Sequence, residues 1–138
     1  MTRYTIEGIY ERPGYDGKLT GTIDIATDGT LQSTITDHSS PVKSKHIKGT
    51  LCDRLIHGNH IGTSLSFFKF LPNASETGVI YALTKPGRDF EGEYNGKWKE
   101  LLHQAEIPQV EELQTVLARA FSRTPIRQGS AKLVVKRA

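Results

Sequence analysis

The residues best suited to chemistry are five histidines, one cysteine and fifteen carboxylates. His57 and His60 flank a tight turn as His-x-x-His, and His46 or Asp53 would complete a donor set for a metal ion at the rim of a sheet. Two histidines three apart in a turn need not point the same way, so they read as solvated loop residues and no metal ligand is assigned. Cys52 has His46 six positions back, but six strand residues span about 20 Å, beyond the reach a nucleophile needs from its base. Asp89, Glu91 and Glu93 line one face of a strand at steps of about 7 Å, in principle a cation or acid–base row. They alternate with Phe90 and Tyr94, which claim the inward face, so the carboxylates should meet water. No Gly-rich phosphate loop, no Ser-His-Asp order and no HExxH occurs, so no catalytic residue and no cofactor is assigned.

Two other sets remain. Tyr10, Phe67, Tyr81, Phe90, Tyr94 and Trp98 are aromatic residues on the inward parity of their segments and are the candidate walls of a ligand site. After Glu112 the chain has no acidic residue and six basic ones, Arg119, Arg123, Arg127, Lys132, Lys136 and Arg137, whereas the first 112 residues carry 12 basic and 15 acidic side chains. A net charge of +3 therefore conceals a basic end that can attract an acidic partner at low salt.

The elements that must position these residues are short strands. Alternation of period two runs through Arg3–Tyr10, Lys18–Ala26, Thr30–Asp37 and Lys45–Leu55, then through a strongly apolar stretch from Ile61 to Leu71, and through Gly78–Thr84. Pro13-Gly14, Asp28-Gly29, His57-Gly58 and Pro86-Gly87 punctuate them as turns. Arg88–Tyr94 and Lys97–Leu102 read as strands seven and eight, joined by an Asn95-Gly96 hairpin. The rhythm then changes: Val110, Leu113, Leu117, Ala120 and Phe121 recur at helical spacing between Pro108 and Thr124-Pro125, and Lys132–Lys136 reads as a short extra edge strand. Phe68 and Phe70 stand on the outward parity, where the helix stripe would cover them or a second copy of the chain would pack.

The expected fold is mainly β: an eight-stranded antiparallel meander closed into a barrel, because closure pairs both edges, with one C-terminal α-helix and the extra strand. An open sheet packed by the helix is the rival. A chain of 138 residues makes one domain, with a barrel over 1–104 and the helix and basic tail of 105–138 packed on it. The inferred interior carries no charge, and Gly8, Gly21, Gly49 and Gly92 leave space beside it. One cysteine excludes a disulfide framework, and no apolar run suits a signal peptide or a membrane span, so a cytoplasmic address is expected.

The order of elements resembles that of the calycins, and of the lipocalins in particular. Asp16-Gly17-Lys18-Leu19-Thr20-Gly21-Thr22, Gly8-Ile9-Tyr10 and Gly92-Glu93-Tyr94 are similar in flavour to avidin-like strands. The Gly-x-Trp of a lipocalin first strand is replaced by Gly8-Ile9-Tyr10. The resemblance is one of topology; it implies a barrel able to hold a small apolar molecule and assigns no individual binding residue.

The leading functional expectation is non-catalytic binding of a small apolar or aromatic molecule. The second is an interaction module whose basic end meets an acidic protein or nucleic acid, and the third an enzyme using the barrel pocket for an unspecified reaction. A homodimer is open in each case.

Overall fold

In a computed structural model the described residues are 1–70, 78–101, 125 and 127–138, and the alternating segments become eight strands. These are β1 (Thr2–Arg12), β2 (Tyr15–Ile25), β3 (Thr30–Asp37), β4 (Ser44–Ile56), β5 (Asn59–Phe70), β6 (Gly78–Lys85), β7 (Gly92–Leu101) and β8 (Arg127–Arg137). Each pairs antiparallel with the next, and β8 pairs back onto β1, with Tyr4 opposite Arg137 and Tyr10 opposite Ala131. The barrel is closed, which removes the open-sheet alternative: each of the eight described strands has two neighbours, so none of them is an edge strand.

Period two decides what enters the interior. Tyr4, Ile6 and Tyr10 of β1 point inward while Thr5, Glu7, Ile9 and Glu11 face out. The inward residues of β2 to β7, from Ile23 to Trp98, make up this core, with Val79 and Phe90 at its margin. Ala131, Leu133 and Val135 complete it from β8.

Three expectations need correction. First, Asn95-Gly96 is not a hairpin: Gly92–Leu101 is one continuous strand, and residues 88–91 belong to the connection before it. Gly96 lies in the ladder between Leu83 and Ala131, where a Cβ would run into the Ala82 carbonyl oxygen. The glycine therefore answers close approach of a neighbouring backbone, not a need for positive φ. Second, Lys132–Lys136 is no extra edge strand but part of β8, the strand that closes the barrel. The total of eight is right because one strand was divided and another demoted. Third, the glycines do not leave space. At Gly8 and Gly49 a Cβ would strike the backbone or side chains of Leu133 and Phe67, so neighbours already fill those places.

The helix expected from Pro108, with Arg119 and Arg123, lies outside the described residues. Phe68 is 2% exposed and stands opposite Ile80, itself fully buried, although both are on the outward parity. The outer wall is therefore covered there. The large exposed apolar side chains include Leu55, Ile56 and Ile61, grouped at the β4–β5 hairpin.

Candidate functional site

Two strands end in a charged residue on the inward parity. In β3, Leu31 and Ile35 point into the barrel, and Asp37 follows two residues after Ile35. In β5, Leu65 and Phe67 point inward, and Lys69 follows two residues after Phe67. Both charged side chains are buried, Asp37 at 2% exposure and Lys69 at 6%, and Lys69 Nζ lies 2.9 Å from Asp37 Oδ2. The expectation of an uncharged interior is thus overturned. The signal was present in the strict alternation of each strand, where placing Lys69 between two outward phenylalanines implies that it points in.

Tyrosines complete the cluster. The Tyr10 hydroxyl donates to Asp37 at 2.9 Å, and Lys69 Nζ donates to the Tyr81 hydroxyl oxygen at 2.9 Å. Asp37 also accepts from the Ser39 backbone N–H at 3.2 Å. The lysine lies against two ring faces, 4.2 Å from the centroid of Tyr10 and 5.1 Å from that of Tyr81, which adds cation–π attraction in a desolvated place. Tyr10 reaches Asp37 by laying its ring over Gly17 on β2, where any Cβ would occupy the ring's position. Phe67 stacks on Tyr81 at 4.7 Å between centroids, and Trp98 meets the edge of Tyr10 at 6.2 Å while its Nε1–H donates to the Glu11 carbonyl.

Among the described residues this cluster forms the floor of a cavity of about 170 Å³. Tyr10, Tyr81 and Trp98 supply aromatic wall, while Arg12, Lys45 and Glu100 stand around it. Pro41 of the β3–β4 loop, Phe70 and Gly78 also line it, so it lies at the barrel end formed by the last residues of β1, β3 and β5 and the first of β6. The Arg12 guanidinium carbon sits 5.6 Å from the Tyr15 ring centroid and 5.9 Å from that of Trp98.

Burial and pairing set the ionisation of this group. Desolvation pushes Lys69 down to about 8, with the attraction of Asp37 acting in the opposite sense. Desolvation alone would raise Asp37, but the charge and hydrogen bond of Lys69, with hydrogen bonds from Tyr10 and Ser39, outweigh it and hold the carboxyl below its ordinary value. Burial first, and Asp37 second, push the Tyr10 hydroxyl up; burial followed by the neighbouring Tyr10 and Asp37 pushes Tyr81 well above its ordinary range. Both phenols therefore stay protonated near neutrality, Tyr10 donating to Asp37 and Tyr81 accepting from Lys69. Lys45 is lowered by burial.

Of the six expected wall residues, the structure brings Tyr10, Tyr81 and Trp98 to the cavity and puts Phe67 directly beneath Tyr81. Tyr94 and Phe90 are elsewhere: the Tyr94 hydroxyl donates to the Phe90 carbonyl at 2.7 Å, in the half of the barrel away from the cavity. Asp37, Lys69, Arg12 and Lys45 are among the lining residues the sequence reading did not single out. On the basic side, Arg127 approaches Glu100 at 3.6 Å and Lys132 pairs with Glu93 at 3.0 Å, while Lys136 and Arg137 are exposed near the end of β8. Two of these cations thus already have carboxylate partners on β7. His60 contacts Asp53 at 3.1 Å, whereas His46 lies near the opposite end of β4 against Phe70 and Thr34; among the described residues no three His, Cys, Asp or Glu side chains form a metal-binding group.

No protein-family model, no curated protein and no solved structure matches the chain.

Proposed function

We propose that the protein binds a small aromatic molecule in the cavity at this end of the barrel, with the ring against Tyr10, Tyr81 and Trp98 and a polar substituent directed at Lys69 and Tyr81. The observation that carries this reading is the combination of a cavity of about 170 Å³ with a buried, hydrogen-bonded polar floor. An apolar cavity of about 150 Å³ holds one benzene, so the size suits a single ring. Aromatic walls and a few convergent polar groups are the usual composition of a small-molecule site.

The polar floor also refines the ligand. A purely apolar molecule would leave Tyr81 with a hydroxyl proton that no described residue accepts, while a ring bearing an oxygen acceptor would take it. The up-and-down barrel is compatible with the calycin-like likeness, in which a barrel mouth admits such a ligand.

Benzyl alcohol tests the proposal, since it carries one ring and one hydroxyl and forms no covalent bond with amines. Titration should quench or shift the fluorescence of Trp98, the one tryptophan in the chain, and saturate at one ligand per chain. The Tyr81→Phe variant should bind several-fold more weakly, the scale of one neutral hydrogen bond. A Trp98 signal unchanged by benzyl alcohol, phenol and benzoate alike would refute the reading.

A further inference from the structure

Receiving a polar substituent at the floor of the pocket needs a hydrogen-bond donor but not an amine in particular. Lys69 Nζ is nevertheless held there, between one carboxylate and one phenol, with the cavity in front of it and two aromatic faces beside it. We propose that Lys69 captures a single-ring aromatic aldehyde as a reversible imine. This rests on the reading of the pocket as an aromatic site, and it names a class of compound that the site would take.

The step balances without any further reagent. Lys69 begins as an ammonium paired with Asp37 and releases one proton, so that the Nζ lone pair adds to the carbonyl carbon as the C=O π bond breaks. The carbonyl oxygen takes up that proton and becomes the hydroxyl of a carbinolamine. Loss of this hydroxyl with a second proton releases one water and leaves a protonated imine. The net change is one ammonium and one aldehyde in, one iminium and one water out. The cation at Nζ is therefore conserved, and Asp37 faces a positive partner before and after. That matters in a buried site, where leaving the carboxylate unpaired would be costly.

The neighbours fit the task. Tyr81 Oη is 2.9 Å from Nζ, which puts its proton within reach of the oxygen that must accept one and later leave. Tyr10 keeps Asp37 in place through its own hydrogen bond, so the carboxylate stays aimed at Nζ rather than at solvent. Burial, which holds Lys69 near 8, supplies neutral amine close to neutral pH, where an exposed lysine has almost none.

The test uses the full chain with benzaldehyde and sodium cyanoborohydride, which reduces an imine to a stable benzylamine, followed by intact mass and peptide mapping. The expected result is one benzyl group per chain, located on Lys69 and formed at least tenfold faster than at any other lysine. In urea the preference should vanish. Tyr81→Phe should slow labelling of Lys69 by tenfold or more while leaving the other lysines unchanged, and benzyl alcohol should protect Lys69 by competition. Labelling spread over the exposed lysines, with Lys69 unmodified, would overturn the proposal. If benzyl alcohol still perturbs Trp98 in that case, only the imine falls; if it does not, the pocket reading falls with it.

Discussion

A buried ion pair is poor evidence of stabilisation, because taking two charges out of water costs about what their attraction returns, and the Lys69–Asp37 pair should be judged by that balance. Asp37→Ala leaves an amine at 6% exposure without its carboxylate, and should cost about 3–5 kcal/mol in urea unfolding. The double variant Asp37→Leu with Lys69→Met removes both charges and should recover most of that loss, a coupling that a double-mutant cycle reads directly. Two independent, additive losses would contradict the pairing. The pH dependence follows from the depressed lysine. Between about 8 and its ordinary value of 10.5 the unfolded chain keeps the Lys69 proton and the folded chain does not, so the unfolded state binds more protons and stability rises with pH. The groups facing Nζ act consistently: Asp37 is ionised throughout, Lys45 is lowered in the same sense, and Tyr10 and Tyr81 are raised and enter only above pH 10. Wild type should therefore gain about 2 kcal/mol relative to Lys69→Met between pH 7.5 and 9.5, measured by chemical denaturation at each pH.

At the scale of the element, β7 and β8 are where local signals and the folded state part company. Asn-Gly is a strong hairpin signal because both residues tolerate positive φ, yet a glycine is also what a crowded ladder demands, and the dipeptide cannot say which. Gly96→Ala separates the two. Alanine at the positive φ of a solvated hairpin would cost about 1–2 kcal/mol, but against the Ala82 carbonyl it should force β6 and β7 apart and lower stability by more than that, several kcal/mol. For β8, a chain ending at residue 126 would strand the edges of β1 and β7 together, and should lose cooperative unfolding and associate in gel filtration. Phe68 makes a third case. It is outward by parity and buried in fact, so Phe68→Asp should cost at least 3 kcal/mol, the scale of losing a buried ring and burying a charge. An unchanged melting temperature would place that ring in water.

The whole molecule turns a linear alternation into a pocket. Eight strands give an interior that side chains can just fill, and this barrel is filled along most of its length by residues such as Leu51, Phe67, Leu83 and Tyr94. At one end, among the described residues, large side chains give way to a paired lysine and aspartate, and a cavity lies there. A ligand occupying it should stabilise the fold by mass action, by about 2.7 kcal/mol at a hundred times its dissociation constant, and thermal unfolding with benzyl alcohol should show that rise. Aromatic ligands that leave the melting temperature unmoved at saturation would mean that they bind the unfolded chain equally well.

Alternation and turn residues were enough to set the fold class, most strand positions and nearly all of the apolar interior, since period two is a local property of the chain. Tyr10, Tyr81 and Trp98 were legible for the same reason. What the sequence alone could not settle was which strand closes the sheet, because pairing β8 with β1 is a contact across some 130 residues that leaves no short-range trace. Nor did it show that Asp37 and Lys69 meet. Each is an ordinary charged residue at the end of its strand, and only the tilt and closure of the barrel bring two inward charges from β3 and β5 to 2.9 Å, where mutual attraction makes burial of both tolerable.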